Sequence, residues 1–175
     1  MGLIIRNTVL SSPRSIHPTA TWLGIDPGAS GGIAILHGRE VTSVSMPDTE
    51  RDVWDFFQEN GWRGDTPQFA IIEKVGGYIG TNQPGSSAFK FGVSYGGLRM
   101  ALIAAGVPFE EVVPQRWQKE YALKRAKDEP KHIWKGRLKA KAAQLFPKVH
   151  VTLATSDALL IAEYARRKYT GSLSR

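Results

Sequence analysis

The sequence predicts an α/β fold, a five-stranded mixed sheet flanked by helices. Short apolar stretches that alternate or are bounded by glycine and proline indicate strands. Longer stretches with apolar residues three and four apart indicate helices. Their order along the chain is three strands, a helix, a strand, a helix, a strand and then further helices. Strands and helices in this order are typical of a sheet with helices packed on its faces.

The predicted strands cover five segments: 21–26, 31–36, 41–46, 68–73 and 107–113. The predicted helices cover 50–60, 86–105, 114–121, 131–146 and the apolar segment that follows a cap at Thr155 or Ser156. Ser86 or Ser87 is expected to cap the second helix. Gly92 and Gly96 lie one turn apart in that helix. Each lowers helix propensity by about 1 kcal/mol, which indicates close packing against the sheet or against a second subunit.

With 175 residues, 42% of them hydrophobic, the chain is long enough for one core and too short for two large lobes. We expect one domain at 21–170, an N-terminal extension at 1–20, flexible or docked, and a tail at 171–175. The absence of cysteine excludes disulfides and thiolate sites and favours a reducing compartment. No apolar run reaches the roughly 18 residues of a membrane span, so we expect no membrane association and a cytoplasmic location. The acid-free first twenty residues leave an organelle as the alternative.

The positive charge of the chain is concentrated in one segment. Ten basic residues stand against three acidic ones between Arg116 and Lys141, so this segment carries the whole formal excess of +7. A local excess of this kind favours binding to a polyanion, with nucleic acid as the leading candidate. A solvated lysine-rich face is the alternative interpretation.

Three acidic residues lie at the boundaries of strongly apolar segments. Asp26 ends WLGID, Glu73 ends FAIIE, and Asp157 lies at the start of SDALLIAEYARR. Burying an ionised carboxylate costs several kcal/mol unless a positive charge compensates it. Carboxylates brought together by central strands and a crossing helix would suit Mg²⁺ or Mn²⁺, and two such ions can promote phosphodiester hydrolysis.

Each of these acids also has a purely structural interpretation. Asp26 precedes Pro-Gly and could form an Asx turn. Glu73 could pair with Lys74 or with a basic helix, and Asp157 could be a first-turn acid stabilised by the helix dipole.

The glycines around Asp26 do not form a dinucleotide-binding fingerprint. In GIDPGASGG the aspartate takes the place of the second glycine of G-x-G-x-x-G, and a strand follows instead of a helix. A carboxylate there would repel a pyrophosphate. We therefore expect no small-molecule cofactor.

Five segments in order, GIDPGASGGIAIL, IIEKV, GSSAFKFGVSYGGLRMAL, PQRW and SDALLIAEYARR, resemble the RuvC-type Holliday junction resolvases. The resemblance spans 23–167 and is closest to the phage and organelle-like branch. It implies a ribonuclease H-like (ribonuclease H/integrase-type) fold, a homodimer, and symmetric paired nicks across a four-way DNA junction. It further implies Mg²⁺-dependent hydrolysis, with two ions per active site held by the catalytic residues Asp26, Glu73 and Asp157.

The same resemblance places a basic catalytic residue at Lys135, where it would neutralise transition-state charge or hold the scissile phosphate. The alternative is that Lys135 is one more phosphate contact of the basic segment. Tyr78 is the first candidate for an aromatic side chain that stacks on unpaired bases, an interaction worth about 1 to 3 kcal/mol. Phe89 is the second candidate, with a place in the helix core as its alternative. The remaining expected DNA contacts are Lys90, Lys119, Lys124, Arg125, Arg137 and Lys139.

One position departs from the family pattern. Members of the family commonly carry a fourth acid, or a histidine, one helical turn before the last aspartate, and this chain has Ala154 there. Either three ligands and water suffice, or His150 or Glu163 substitutes, or catalysis is weakened. The alternative functions are a YqgF-like RNA-processing nuclease and a non-catalytic protein that binds branched DNA.

Overall fold

The computed structural model describes residues 20–61, 66, 68–76 and 85–173. The strands are β1 (Thr21–Asp26), β2 (Gly32–His37), β3 (Glu40–Ser45), β4 (Gln68–Glu73) and β5 (Phe109–Val112). The helices are α1 (Glu50–Phe56), α2 (Gly85–Ala104), α3 (Pro114–Glu120), α4 (Lys131–Leu145) and α5 (Ser156–Tyr169). A π-helical turn, Phe57–Gly61, continues α1. None of the helices that the structure describes is both long and apolar enough to cross a membrane.

The five strands form one mixed sheet in the order β3-β2-β1-β4-β5. The β1–β2 and β2–β3 pairs are antiparallel, whereas the β1–β4 and β4–β5 pairs are parallel. The prediction of a five-stranded mixed sheet flanked by helices is therefore confirmed. Ile25 pairs with Ile72, so the next residues, Asp26 and Glu73, end two neighbouring strands at the same edge of the sheet.

Each face of the sheet carries its own hydrophobic core. Alternation along β1 directs Trp22 to the core formed with α3, α4 and α5. Leu23 and Ile25 project to the opposite core, which is completed by α1 and α2. The period-two pattern that identified β1 in the sequence thus assigns its side chains to two different layers.

Of the two helix caps expected from the sequence, the one at α2 is wrong, and the one at α5 is right in position but makes no capping bond. The structure is already helical at Gly85, so Ser86 and Ser87 lie in the first turn of α2. Thr155 is the residue before α5, but it makes no side-chain capping bond. Its Oγ1 instead accepts a hydrogen bond of 3.0 Å from the backbone N–H of Thr152.

The fifth strand is shorter than expected because the residues before Phe109 form the C-terminal end of α2. Gly106 has a φ of +65°, a left-handed conformation that commonly ends helices. The N–H of Val107 then bonds to the carbonyl of Leu102 at 2.9 Å. Val107 therefore closes the helix, and pairing with β4 begins only at Phe109.

Helix α5 is buried on all sides from Ser156 to Ala165, not along a single stripe. Its closest approach to the sheet is at Gly24 in β1. A Cβ at Gly24 would lie 2.2 Å from the carbonyl oxygen of Ala158 and 2.2 Å from the backbone nitrogen of Ala162. This contact leaves the start of α5, and with it Asp157, at the edge where β1 ends.

An aromatic stack anchors the other end of α5. The ring of Phe69 in β4 stacks on Trp22 at 5.6 Å and on Tyr169 at 4.8 Å between centroids. Stacked aromatic pairs stabilise by about 0.5 to 1.5 kcal/mol beyond the area they bury. The stack thus ties the last turn of α5 to the two parallel central strands.

We predict that Gly24→Ala destabilises the protein by roughly 2 kcal/mol or more, because the new methyl group would overlap the α5 backbone. Gly136→Ala in α4 is the matched control. No described atom lies within 4 Å of a Cβ at that position. Replacing this helical glycine by alanine should therefore raise the free energy of unfolding by about 0.5 to 1 kcal/mol. Urea denaturation measures both changes. Equal stability of the two variants would contradict the close contact at Gly24.

Candidate active site

Three acidic side chains from separate elements meet at the edge where the central strands end. Asp26 is the last residue of β1, Glu73 is the last residue of β4, and Asp157 is the second residue of α5. Asp26 is 9% exposed and Asp157 is 4% exposed. The three carboxylates lie close enough to repel one another electrostatically. The acids selected from the sequence therefore form one cluster, in which Asp26 and Asp157 are buried and Glu73 is partly buried.

Lys135 in α4 contributes a cation to this cluster. Its Nζ lies 2.6 Å from Oδ2 of Asp157 and 3.9 Å from Oδ2 of Asp26. The hydroxyl of Ser156 donates a 3.0 Å hydrogen bond to the other oxygen of Asp157. The basic residue that the family resemblance selected thus lies directly against two of the three acids.

Trp117 is a further residue of the site, and the sequence reasoning did not assign it a role. Its side chain is fully buried, and its indole N–H donates a 2.9 Å hydrogen bond to Oε2 of Glu73. The available signal was its position in PQRW, directly after the strand that pairs with β4. An indole N–H on a buried residue needs an acceptor, and here the acceptor is a site carboxylate.

The electrostatics of the cluster disfavour three charged carboxylates beside one lysine. Burial raises the pKa of Asp26 to about 8, with repulsion from Asp157 and Glu73 adding to the effect and Lys135 opposing it. Burial also raises the pKa of Glu73 to about 7, against the effect of the Trp117 hydrogen bond. Full ionisation of the cluster therefore requires more positive charge than Lys135 supplies.

The donor set suits a divalent cation in charge and ligand type. Three carboxylates supply the oxygen ligands that Mg²⁺ and Mn²⁺ prefer. Across 20–61, 66, 68–76 and 85–173, no three histidine, cysteine, aspartate or glutamate side chains already form a set that could hold a metal ion. The ammonium of Lys135, bonded to Asp157, is the cation nearest to the acids in this arrangement.

The structure does not bring Glu163, suggested as a replacement for the missing fourth acid, to the cluster. Its carboxylate accepts hydrogen bonds of 2.7 Å from Arg166 and 2.9 Å from Arg167. It also lies six residues beyond Asp157, about 9 Å further along the helix axis.

His150 is exposed on the loop before α5. Ala154 packs with its carbonyl against β2, 2.8 Å from where a Cβ of Gly32 would lie.

A groove of about 800 Å³ begins beside Asp26. Its walls include Pro27 and Gly28, which follow β1, and Lys90 and Phe91 of α2. Lys90, one of the predicted DNA contacts, therefore lines a groove next to the end of β1, although none of the three acids is in its wall.

The two aromatic candidates for base stacking differ in what the structure describes. Tyr78 lies outside the described residues. Phe89 is 73% exposed, so the alternative that placed it in the helix core is wrong. Its ring is available to a partner near the start of α2.

The predicted basic contacts divide into two groups. Lys119, Lys124 and Lys139 are exposed. Arg125 and Arg137 are also exposed, but their guanidinium groups organise the loop between α3 and α4, where Arg125 donates to the carbonyl of Glu129 at 2.8 Å. Arg137 binds the carboxylate of Glu129 at 3.0 Å and lies over the ring of Trp134. These two arginines shape the basic surface as well as adding charge to it.

No protein-family model matches the chain, and no curated protein matches it significantly by sequence. Solved structures do match its fold. One, described as T. thermophilus RuvC in complex with Holliday junction substrate, aligns with a TM-score of 0.57 and 17% identity, covering 88% of this chain and 98% of that chain. A second structure of Thermus thermophilus RuvC aligns with a TM-score of 0.54, 20% identity and the same coverage.

These similarities establish the fold class. The chain has a ribonuclease H-like fold, as the sequence predicted. Within that class the fold is RuvC-like, and it extends over most of the chain. The phage and organelle-like branch stays a prediction.

We predict that, in the presence of a metal chelator, the folded protein loses stability as the pH rises from about 4 to about 8. With raised pKa values for Asp26 and Glu73, the folded state binds more protons than the unfolded chain over this range, so deprotonation favours unfolding. Asp26→Asn should flatten this slope and raise the free energy of unfolding at pH 8 by roughly 2 kcal/mol or more. Urea denaturation at pH 5 and pH 8 measures both effects.

The control for this prediction is Asp128→Asn, which removes an exposed carboxylate from the loop before α4. It should leave the pH slope unchanged. A slope that is the same in Asp26→Asn and in the wild type would show that Asp26 is not destabilised by its surroundings.

Proposed function

We propose that this chain is a metal-dependent DNA endonuclease that resolves four-way junctions by symmetric paired nicks during recombination, repair or genome processing. The single observation that carries the proposal is the cluster of Asp26, Glu73 and Asp157 beside Lys135, at the strand edge of a RuvC-like fold. A structural role alone does not account for this cluster, because burying Asp26 and Asp157 next to the partly buried Glu73 costs stability.

In this proposal the three acids hold two divalent ions, Mg²⁺ or Mn²⁺. When bound, such ions would supply the charge that activates a water and stabilises the departing oxygen of a phosphodiester. Lys135 lies within 4 Å of two of the acids, so its ammonium is placed to bind a phosphate oxygen and offset charge that develops there. The water oxygen forms a new bond to phosphorus as the bond to a deoxyribose oxygen breaks. In the net reaction, the proton that the water loses is taken up by the departing oxygen, which leaves a nicked strand with a free hydroxyl and a phosphate.

The surfaces around the cluster support DNA as the substrate. The groove beside Asp26 carries Lys90 on its wall, and Phe89 is exposed on the adjacent turn of α2. Exposed lysines of α3, α4 and their connecting loop extend the positive surface. Contacts of this kind bind phosphates and position a duplex without reading its sequence.

The exposed face of α2 supports a homodimer. Phe89, Val93, Met100 and Ile103 are exposed on this helix, and with Gly96 they follow steps of three and four residues. Such spacing forms a continuous apolar stripe on one side of a helix. A stripe of this size on a soluble protein is typical of an interaction surface.

The two glycines of α2 support the same surface. No described atom lies within 4 Å of a Cβ placed at Gly92 or Gly96. Close packing against the sheet therefore does not explain why glycines occupy these two positions. The other interpretation, packing against a second subunit, remains. Small residues on an exposed helix face let two helix backbones approach closely.

A non-catalytic protein that binds branched DNA is the second candidate, favoured by two observations. Ala154 supplies no ligand where related proteins carry one, and Lys135 is bonded to Asp157. An RNA-processing nuclease of the same fold would use the same three acids, so substrate selectivity separates it from the main proposal.

We predict metal-dependent cleavage of an end-labelled, immobile four-way junction, with nicks at symmetric positions. Linear duplex of the same sequence should remain uncut, because the proposed site acts on a branched substrate held by both subunits. Asp26→Asn should reduce cleavage below detection while junction binding in EDTA is preserved or tightened, because the change removes negative charge from the site. Gel analysis of the nicks and an electrophoretic mobility shift assay measure the two activities.

The outcomes of this assay distinguish the candidates. Tight junction binding without nicks, at any Mg²⁺ or Mn²⁺ concentration, would favour the non-catalytic protein, and Ala154→Asp would then test whether a fourth acid restores cleavage. Cleavage of RNA with indifference to branched DNA would favour the RNA nuclease. Full activity in Asp26→Asn would refute the proposed site.

We further predict that the Met100→Glu and Ile103→Glu double variant is monomeric at concentrations where the wild type is a dimer. Charges on this stripe would be buried without partners in the dimer, so the dissociation constant should rise at least about tenfold. Ile133→Glu is the control, because Ile133 is an exposed apolar residue on α4. Sedimentation velocity measures the three proteins. A wild type that is monomeric at tens of micromolar would contradict the α2 interface.

A further inference from the structure

The path of the chain from β5 into α3 returns Trp117 to the strand that carries Glu73. Glu73 pairs with Val112 at the end of β5, and the N–H of Lys74 bonds to the carbonyl of Val112 at 2.8 Å. Pro114 then begins α3 at once. One helical turn later the chain reaches Trp117, whose indole N–H lies 2.9 Å from Oε2 of Glu73.

Trp117 is held in place by its own burial and by the anchoring of its helix. It is fully buried in the core that α3, α4 and α5 share. At the end of α3, the hydroxyl of Tyr121 donates a buried 2.6 Å hydrogen bond to the carbonyl of Leu160 in α5. The helix is therefore fastened to β4 at Trp117 and to α5 at Tyr121. A donor held in this way has little freedom to follow a moving carboxylate.

The hydrogen bond engages one oxygen of Glu73 and leaves the other, Oε1, for a cation. It also favours the ionised carboxylate, which is the form that binds metal. Burial works in the opposite direction at Glu73. The indole N–H is thus a donor that both orients this acid and keeps it ready to act as a ligand.

We propose that Trp117 is a positioning residue that holds the Glu73 carboxylate in the orientation needed to bind a divalent cation. The inference rests on the proposed function, since it assigns to Trp117 a role at the same metal site. Partners that hydrogen-bond to a metal ligand commonly change metal affinity by about 10 to 100-fold when they are removed. Trp117 acts through Glu73 and does not touch the reacting atoms.

The test compares Trp117→Phe with Trp134→Phe, with Mn²⁺ as the probe. Trp134 is also a buried tryptophan of the same core, but its ring lies under Arg137 and is not bonded to Glu73. Calorimetric titration should show Mn²⁺ affinity about tenfold weaker in Trp117→Phe and within about twofold of the wild type in Trp134→Phe. Both variants should bind the junction in EDTA as the wild type does.

Cleavage kinetics provide a second readout. In Trp117→Phe, the Mn²⁺ concentration for half-maximal cleavage should rise by the same factor as the dissociation constant, and saturating Mn²⁺ should recover most of the rate. Trp134→Phe should require no additional metal. An Mn²⁺ affinity in Trp117→Phe within twofold of the wild type, beside a wild type that binds Mn²⁺ and cuts junctions, would overturn the role of Trp117 alone. A wild type that binds no Mn²⁺ would overturn both this inference and the proposed function.

A measurement on the wild-type fold covers the case in which Trp117→Phe fails to fold. The indole N–H signal of Trp117 in a ¹⁵N NMR spectrum is identified as the one that Glu73→Gln displaces. It should move during a Mg²⁺ titration, with the midpoint that calorimetric titration of the wild type with Mg²⁺ gives. An indole signal that Glu73→Gln displaces but Mg²⁺ leaves unmoved would overturn the proposal.

Discussion

The close contact between α5 and β1 at Gly24 is the constraint on which the rest of the structure depends. A side chain at this position would overlap the backbone of α5 at Ala158 and Ala162. Because the helix lies this near, the first turn of α5 reaches the end of β1, and Asp157 comes to the edge shared by Asp26 and Glu73. The same approach buries the helix on all sides and closes one of the two cores. Both the packing of α5 and the position of Asp157 therefore depend on the absence of a side chain at Gly24.

The cluster that this contact creates is a source of instability that the surrounding structure must tolerate. Three carboxylates share one lysine, and burial raises the pKa of Asp26 and of Glu73. Two of the three are held by hydrogen bonds from defined neighbours: Lys135 and Ser156 bind Asp157, while Trp117 binds Glu73. These bonds orient the acids without neutralising them all. Such an arrangement is typical of sites that bind a cation or a substrate and is seldom retained for stability alone.

Much of this architecture was predictable because it depends on local patterns. The alternation in β1 and the apolar run ending at Glu73 identified the two central strands, and the placement of acids at element boundaries identified the candidate site. What escaped prediction depends on contacts between distant positions. Trp117 and Glu73 are 44 residues apart, and the bonds of Arg137 and Arg125 to Glu129 arise from the way one loop folds. The surroundings of Gly92 and Gly96 likewise required three-dimensional packing, because helix periodicity alone does not tell an exposed face from a buried one.

The order of the elements has a consequence for synthesis of the protein. Asp26 and Asp157 are separated by 131 positions in the chain, and α5 is the last of the described elements to leave the ribosome. Contacts of such long range form late and slow folding. Until α5 emerges, the nascent chain exposes the sheet face that this helix covers, including Trp22 and Ile71. Protection of that face during translation, for example by a chaperone that binds apolar strands, would therefore limit aggregation before the native fold is complete.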